Sequence, residues 1–179
     1  MPVTERLSAE DALQRASALL GDRAQPTINH GQLDIACSLE QYVSVIESLV
    51  DDVGLRCNFF TFLSGVDRSE VADNPGSLEV LVHLYSPEHV VHANIHVPVD
   101  AENPHCPTIT HRFDGAQWHE RECHEMFGIV FDGHPRLVNL LLPEDFTGHP
   151  GLRSFKLPGR QVKDWPGAKD PEEAAAGGR

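Results

Sequence analysis

Eleven histidines in 179 residues, several beside carboxylates, are the first feature of this sequence with the makings of chemistry. The run His119-Glu120-Arg121-Glu122-Cys123-His124 has the residue types of a zinc-protease helix, in which two histidines hold the metal and a glutamate acts as general base. That chemistry needs the histidines at i and i+4, one turn apart. Here they are five apart, about 140° round a helix at its ~100° step, so they diverge. The reversed HxxEH spacing fails too, because Cys123 follows Glu122. A second group is His83, His92 and His96 with Glu79. Two facing imidazoles and a carboxylate suit a metal, yet polar residues on an outer sheet face serve equally well as a contact surface. Nothing supplies a nucleophile with an orienting base, a phosphate-cradling loop or a dinucleotide fingerprint.

Gly133-His134-Pro135 and Gly148-His149-Pro150 form a short repeat around Leu140-Leu141-Leu142-Pro143-Glu144-Asp145-Phe146. In each, Gly supplies a positive φ and Pro fixes the exit direction. Turn chemistry does not explain why the middle residue is His both times. A long irregular segment with an apolar centre usually lies against another surface.

These groups need elements to hold them. Ser8 can cap a helix whose stripe is Ala9, Ala12, Leu13, Ala16, Leu19 and Leu20, ending at Gly21. Ser38 and Gln41 form a capping box for a second helix with Leu39, Tyr42, Val43, Ile46, Leu49, Val50 and Val53 on one face and Gly54 as its end. Leu33 to Cys37 and Arg56 to Leu63 read as strands. Leu78, Val80, Val82 and Leu84 alternate, as do Val91, Ala93, Ile95 and Val97, which predicts a hairpin around Ser86–His89. That loop sets Leu84 opposite Val91, His83 opposite His92 and Glu79 opposite His96. Turn residues dominate 98–115, and a third helix runs from Ala116 to Phe127, ending at Gly128. It aligns Trp118, Glu122 and Met126, and places Arg121 one turn from Glu125. The order predicts an α+β fold: a two-layer domain with helices packed on one mainly antiparallel or mixed sheet. The globular part is expected over 1–132, with its core at about 8–132. Residues 133–179 are expected to form an irregular, partner-binding C-terminal arm with few contacts to the rest and a disordered end.

Composition narrows the function. Fourteen basic against 27 acidic residues give a net charge of −13, the wrong sign for displacing counterions from nucleic-acid phosphates. Residues 1–150 hold 8 basic and 23 acidic side chains, whereas 151–179 hold 6 and 4, including every lysine. No apolar run approaches the ~20 residues that span a bilayer, and the N-terminus lacks the basic-then-apolar order of a secretory signal. Cys37, Cys57, Cys106 and Cys123 include no CxxC pair, so structural zinc and cysteine-ligated clusters lack support, and two or three of the thiols are expected in the core.

One stretch has a recognisable order. Trp118-His119-Glu120-Arg121-Glu122, then Glu125-Met126-Phe127-Gly128-Ile129, Phe131, the first GHP, Leu140-Leu141-Leu142-Pro143, Asp145 and the second GHP closely resemble the 30 kDa-type subunit of bacterial respiratory NADH–quinone oxidoreductase (complex I). Phe62-Leu63-Ser64-Gly65-Val66-Asp67 and Pro107-Thr108-Ile109-Thr110 agree, so the resemblance covers roughly 55–153. The segment departs from the family pattern at Val138, Asn139 and Phe146, and after Arg153. The resemblance implies a peripheral-arm scaffold in a complex that passes electrons from NADH through flavin and iron–sulfur clusters to quinone and translocates protons. It implies no catalytic residue, cofactor or metal in this chain. The implied partners are the quinone-site subunit and the terminal iron–sulfur subunit, with no nucleic acid, and membrane contact only through the complex, on the cytoplasmic side. The implied partner contacts are Glu120, Arg121, Glu122, Glu125, His134, Pro135, Leu141, Pro143, Asp145, His149, Pro150 and Arg153. The competing readings are a freestanding metal-dependent enzyme using the histidines and a paralogue in a related complex fed by another electron donor.

Overall fold

Apolar residues on alternate positions of five strands and along three helices share one core, and that common core fixes the architecture. The computed structural model describes residues 6–51, 53–70 and 77–157. In chain order the elements are α1 (Ala9–Leu20), β1 (Ala24–Asn29), β2 (Gln32–Cys37), α2 (Tyr42–Val50), β3 (Phe59–Asp67), β4 (Ser77–Ser86), β5 (Val91–Asp100), β6 (His105–Pro107), α3 (Ala116–Phe127) and β7 (Val130–Asp132). Strands β1 to β5 form one sheet in the order β1-β2-β5-β4-β3, with β2 and β5 parallel and the other neighbours antiparallel. Strands β6 and β7 form a separate parallel pair. This is the α+β arrangement with a mixed sheet that the sequence predicts.

Helix α1 starts where expected: the Ser8 hydroxyl accepts the Asp11 N–H at 3.1 Å, and Gly21 ends it at φ +54°. Helix α3 spans the predicted residues and ends on Gly128 at φ +80°. Helix α2 departs from expectation at both ends. Residues 39–41 form a turn in which the Gln41 N–H reaches the Ser38 carbonyl, and no side chain caps the helix. It stops at Val50, because the chain turns inward to bury Leu55 and Cys57, leaving Val53 exposed. Gly54 is therefore no helix end. A Cβ there would come within 2.9 Å of Leu19 and of the Ser48 carbonyl, so glycine permits a close crossing. The second predicted strand starts later and runs further than Arg56–Leu63, and the sequence does not predict β1, β6 or β7.

The hairpin keeps its faces and shifts its register. Leu84 pairs with Ala93 and Ser86 with Val91, so His83 lies opposite Asn94 and Glu79 opposite Pro98. The loop is 87–90, one residue later than expected, because the buried Ser86 side chain accepts the His89 N–H and Val90 takes φ +56°. The shift is two residues across the pair, so no side chain changes face. The expected partners meet as diagonal neighbours: His83 Nε2 is 3.1 Å from His92 Nδ1, and His96 Nδ1 is 2.7 Å from Glu79.

The apolar set of the sheet (Leu33, Ile35, Val80, Val82, Leu84, Ala93, Ile95 and Val97) is buried under the helices. All four cysteines are buried and unbridged. Burial pushes the Cys37 thiol up to about 11 and Cys57 to about 12, so both stay protonated.

Candidate interaction surface: helix α3 and the C-terminal arm

Helix α3 carries most of the residues singled out from sequence, and the structure divides them between two sides. On the inner side Glu120 is fully buried. One carboxylate oxygen accepts the Ile109 N–H at 2.8 Å and the other the Thr108 hydroxyl at 2.6 Å. Burial raises its pKa to about 7, against the lowering effect of those two donors. Glu120 thus ties the turn before α3 to the helix, and this corrects its assignment as a surface contact. Trp118 and Glu122 face solvent, so the Trp118–Glu122–Met126 face is not the buried one. His119 Nδ1 lies 3.2 Å from the Leu63 carbonyl and His124 Nδ1 lies 2.8 Å from that of Ile129. The two rings are oriented by backbone in different directions, so α3 does not bring them together.

The other side of α3 holds the arm. Residues 133–157 have almost no regular structure, as expected, but the expectation of few contacts is overturned. Glu125, 3% exposed, accepts three successive backbone N–H groups, from Leu140 (2.8 Å), Leu141 (3.0 Å) and Leu142 (3.2 Å). Arg121 donates to the carbonyls of Val138 (2.8 Å) and Asn139 (2.7 Å) instead of pairing with Glu125. One turn of helix therefore satisfies three donors and two acceptors of 138–142. A strand would otherwise supply those partners, and without them buried amides are costly.

The repeated histidines act as staples. His134 accepts the Arg136 N–H on Nδ1, which leaves its Nε2–H to donate to the Gln117 carbonyl at 3.2 Å. His149 Nδ1 donates to the Glu125 carbonyl at 2.9 Å. Each GHP turn, with Gly133 at φ +87° and Gly148 at φ +94°, fastens the arm to α3, one near each end. Beyond them the Gly151 N–H bonds to the Met126 carbonyl, the Arg153 N–H bonds to Asp67 at 2.8 Å, and its guanidinium pairs with Glu70 at 2.9 Å. Close approach on both sides of Phe127 needs glycine. A Cβ on Gly65 would meet the ring at 2.5 Å and one on Gly151 at 2.9 Å.

Held this way, the arm turns apolar side chains outward. Leu141 is 63% exposed and Trp118 60%, with Val138 and Phe146 also exposed, while Arg121 lies 5.5 Å from the Trp118 ring. Pro135, Pro143 and Asp145 are exposed beside them, Pro150 is half-buried, and Arg153 is exposed at the far end. Sequence reasoning missed Trp118, Val138 and Phe146 as displayed residues, and Gly65 and Gly151. Val138 and Phe146 read only as departures from a pattern, and the glycines signal a close crossing only once their neighbour is known.

Comparison with known proteins bears on the family and the fold. The family described as respiratory-chain NADH dehydrogenase, 30 Kd subunit, matches residues 35–161. An NADH-quinone oxidoreductase subunit of Salinispora tropica is 34% identical over 90% of this chain, which spans 65% of that relative's length. Its counterpart from Roseiflexus sp. is 38% identical, covering 84% of this chain and 85% of the relative. Among solved structures, a trypsin-resistant fragment of Nqo5 is 26% identical with a TM-score of 0.59, covering 72% of this chain and 98% of the fragment. A chain of the archaeal membrane-bound sulfane sulfur reductase shares the fold at a TM-score of 0.65 and 17% identity, over 83% of this chain and 85% of that one. The shared family covers α2, the sheet from β2 onward, α3 and the arm, so this chain belongs to the 30 kDa subunit family of respiratory-chain NADH dehydrogenases.

Proposed function

We propose that this chain is a non-catalytic, cofactor-free subunit of the peripheral arm of a proton-translocating NADH–quinone oxidoreductase, acting as a scaffold. Its neighbours in that reading are the quinone-site subunit and the terminal iron–sulfur subunit. The flavin and clusters that carry electrons from NADH to quinone belong to other subunits. The observation that carries this is the set of exposed apolar side chains Val138, Leu141 and Phe146 on an arm fastened by Arg121, Glu125, His134 and His149, with Trp118 exposed on the helix that holds it. A chain that commits a buried carboxylate to displaying leucine is built to meet another surface. The donor chemistry supports a scaffold as well. The thiols are buried with raised pKa values, and His119 and His124 are turned apart by the backbone carbonyls they meet. Among the described residues no helix is long and apolar enough to cross a membrane; in this reading attachment is peripheral, through the complex, on the cytoplasmic side.

Affinity purification of the tagged full chain from its own cells tests the reading. Flavin- and cluster-bearing subunits should co-purify with NADH–quinone reductase activity, while the chain purified alone should hold neither metal nor flavin. Stoichiometric iron or flavin in the isolated chain would contradict the scaffold role. Purification without those subunits would contradict the assembly.

A further inference from the structure

Glu120 is fully buried, and among the described residues no Arg or Lys pairs with it. One carboxyl oxygen accepts the Ile109 N–H at 2.8 Å and the other faces the Thr108 hydroxyl at 2.6 Å. Two donors suit a carboxylate. The protonated acid is satisfied only if the Thr108 oxygen can receive its O–H.

Thr108 is placed to do so. Its hydroxyl lies 2.9 Å from that of Thr110 and accepts the Thr110 N–H at 3.2 Å. Thr108 and Thr110 are half-buried, whereas Glu120 and Ile109 are sealed. The oxygens of Glu120, Thr108 and Thr110 therefore form a row that leads from the core to a residue in contact with solvent. A hydroxyl has one proton to give and lone pairs to receive, so the row works in either direction. With Glu120 ionised, the Thr110 O–H donates to Thr108 and the Thr108 O–H to the carboxylate. With Glu120 protonated, its O–H donates to Thr108, the Thr108 O–H to Thr110, and the Thr110 O–H to water. The second carboxyl oxygen keeps the Ile109 N–H in both states, so the turn loses no bond.

The surrounding groups leave the change of charge to Glu120. Tyr42 from α2, Cys37 from β2, Cys106 from β6 and Cys123 from α3 lie around it. Burial raises all four above their ordinary values, so they stay neutral near pH 7. Asp132 on β7 is exposed and pairs with His105, and Glu122, His111 and Arg112 are exposed. Burial places the Glu120 pKa at about 7, so both of its states are populated there.

We propose that Glu120, Thr108 and Thr110 form a proton-binding site, in which the buried carboxyl exchanges its proton with solvent through the two hydroxyls. On uptake, Thr110 Oγ takes a proton from water and passes its own to Thr108 Oγ. Thr108 passes its own to the Glu120 oxygen that faces it. One proton enters and one carboxylate is neutralised; release runs in reverse. The site lies within this chain and stands apart from the scaffold reading.

The test follows side-chain carboxyl carbon-13 signals of the full chain, labelled at glutamate, as pH is varied. The Glu120 signal is the one missing from Glu120→Gln. In the wild type it should move as a single averaged signal with its midpoint near pH 7, because exchange with solvent is fast. Thr108→Val removes the first hydroxyl while keeping a similar shape. Exchange should then slow at least tenfold, splitting the signal into neutral and ionised peaks, and the midpoint should rise because the carboxylate loses a donor. Thr110→Val should slow exchange by a smaller factor and leave the midpoint unchanged; it carries the test if Thr108→Val fails to fold. A Glu120 signal that shows no titration across neutral pH overturns the site. Exchange at the wild-type rate in either folded variant overturns the route, even if its melting temperature falls, since that is what purely structural threonines would give.

Discussion

Helix α3 solves one problem twice, on opposite sides. Glu120 and Glu125 are both buried, and among the described residues neither has an Arg or Lys partner; backbone N–H groups meet Glu125, and one backbone N–H with the Thr108 hydroxyl meets Glu120. On the sheet side, Glu120 closes the turn at 108–110 within the core beside Tyr42 and Cys106. On the arm side, Glu125 gathers three N–H groups from a segment whose other surface is solvent. The device is the same, a charge-assisted bond that fixes irregular backbone. The outcome differs because one segment is sealed and the other is displayed. Buried charge on a short helix can therefore mark either a strut or a presentation site, and only the far side of the held segment tells which.

The largest expected effect separates the two sides. Each hydrogen bond to a charged group contributes about 1.5–3 kcal/mol, so Glu125→Ala should free residues 138–142. Amide exchange at Leu140, Leu141 and Leu142 should then accelerate about a hundredfold or more, while protection in β4 and β5 stays. Unchanged exchange at those amides would mean that Arg121 and the histidines suffice to hold the arm.

Glu120 gives the next largest effect, and it depends on pH. Its pKa is raised from 4.5 to about 7 by burial, so between those values the folded chain binds more protons than the unfolded one. Stability from this group should fall as pH rises through that window, by roughly 3 kcal/mol at 1.36 kcal/mol per unit, and then level off. Asp34, Asp67 and Glu79 work the opposite way. Their partners outweigh burial and lower their pKa values, so their contributions are lost as pH falls. Glu120→Gln keeps an acceptor for Ile109 and stays neutral. The stability difference between wild type and this variant should therefore be flat above pH 7 and change below it. A difference independent of pH from 4 to 8 would contradict the assigned ionisation.

Smaller effects come from the two glycines around Phe127. Adding a methyl group to a packed contact costs about 1–3 kcal/mol. Gly65→Ala should lower the global melting temperature, whereas Gly151→Ala should loosen mainly the arm, seen as faster exchange at the Gly151→Ala amide itself. The smallest change is Tyr42→Phe. Among the described residues the buried Tyr42 hydroxyl finds no hydrogen-bond partner, so its removal should leave stability unchanged or raise it by about 1 kcal/mol, as urea unfolding would show.

What was legible in the sequence follows the reach of each signal. Period-2 alternation placed β4 and β5 and their faces, and the turn residues before it with Gly128 after it bounded α3. The hairpin register slipped because Ser86 binding the His89 N–H is a local choice that alternation does not encode. Strand β1 was missed because Gln25, Thr27 and Asn29 give its outer side no hydrophobic contrast and Pro26 reads as a breaker. The residue types of the site were visible from the ordered motif around Glu120 to Arg153. Their division into struts and displayed residues was not, because it depends on which backbone groups fold back onto α3. The repeated histidines show this: turn chemistry accounts for their Gly and Pro neighbours, and only the docked arm accounts for the imidazoles.

The central claim is that the arm is docked on its own chain in order to present Leu141 to another. The most direct measurement is native-gel assembly of the full chain carrying Leu141→Asp, alongside the melting temperature and the Leu140–Leu142 amide exchange of the isolated variant. Leu141 is 63% exposed and Glu125 holds its N–H, not its side chain. The account predicts an unchanged melt, unchanged exchange and an assembled fraction reduced at least tenfold. Assembly at the wild-type level would contradict it.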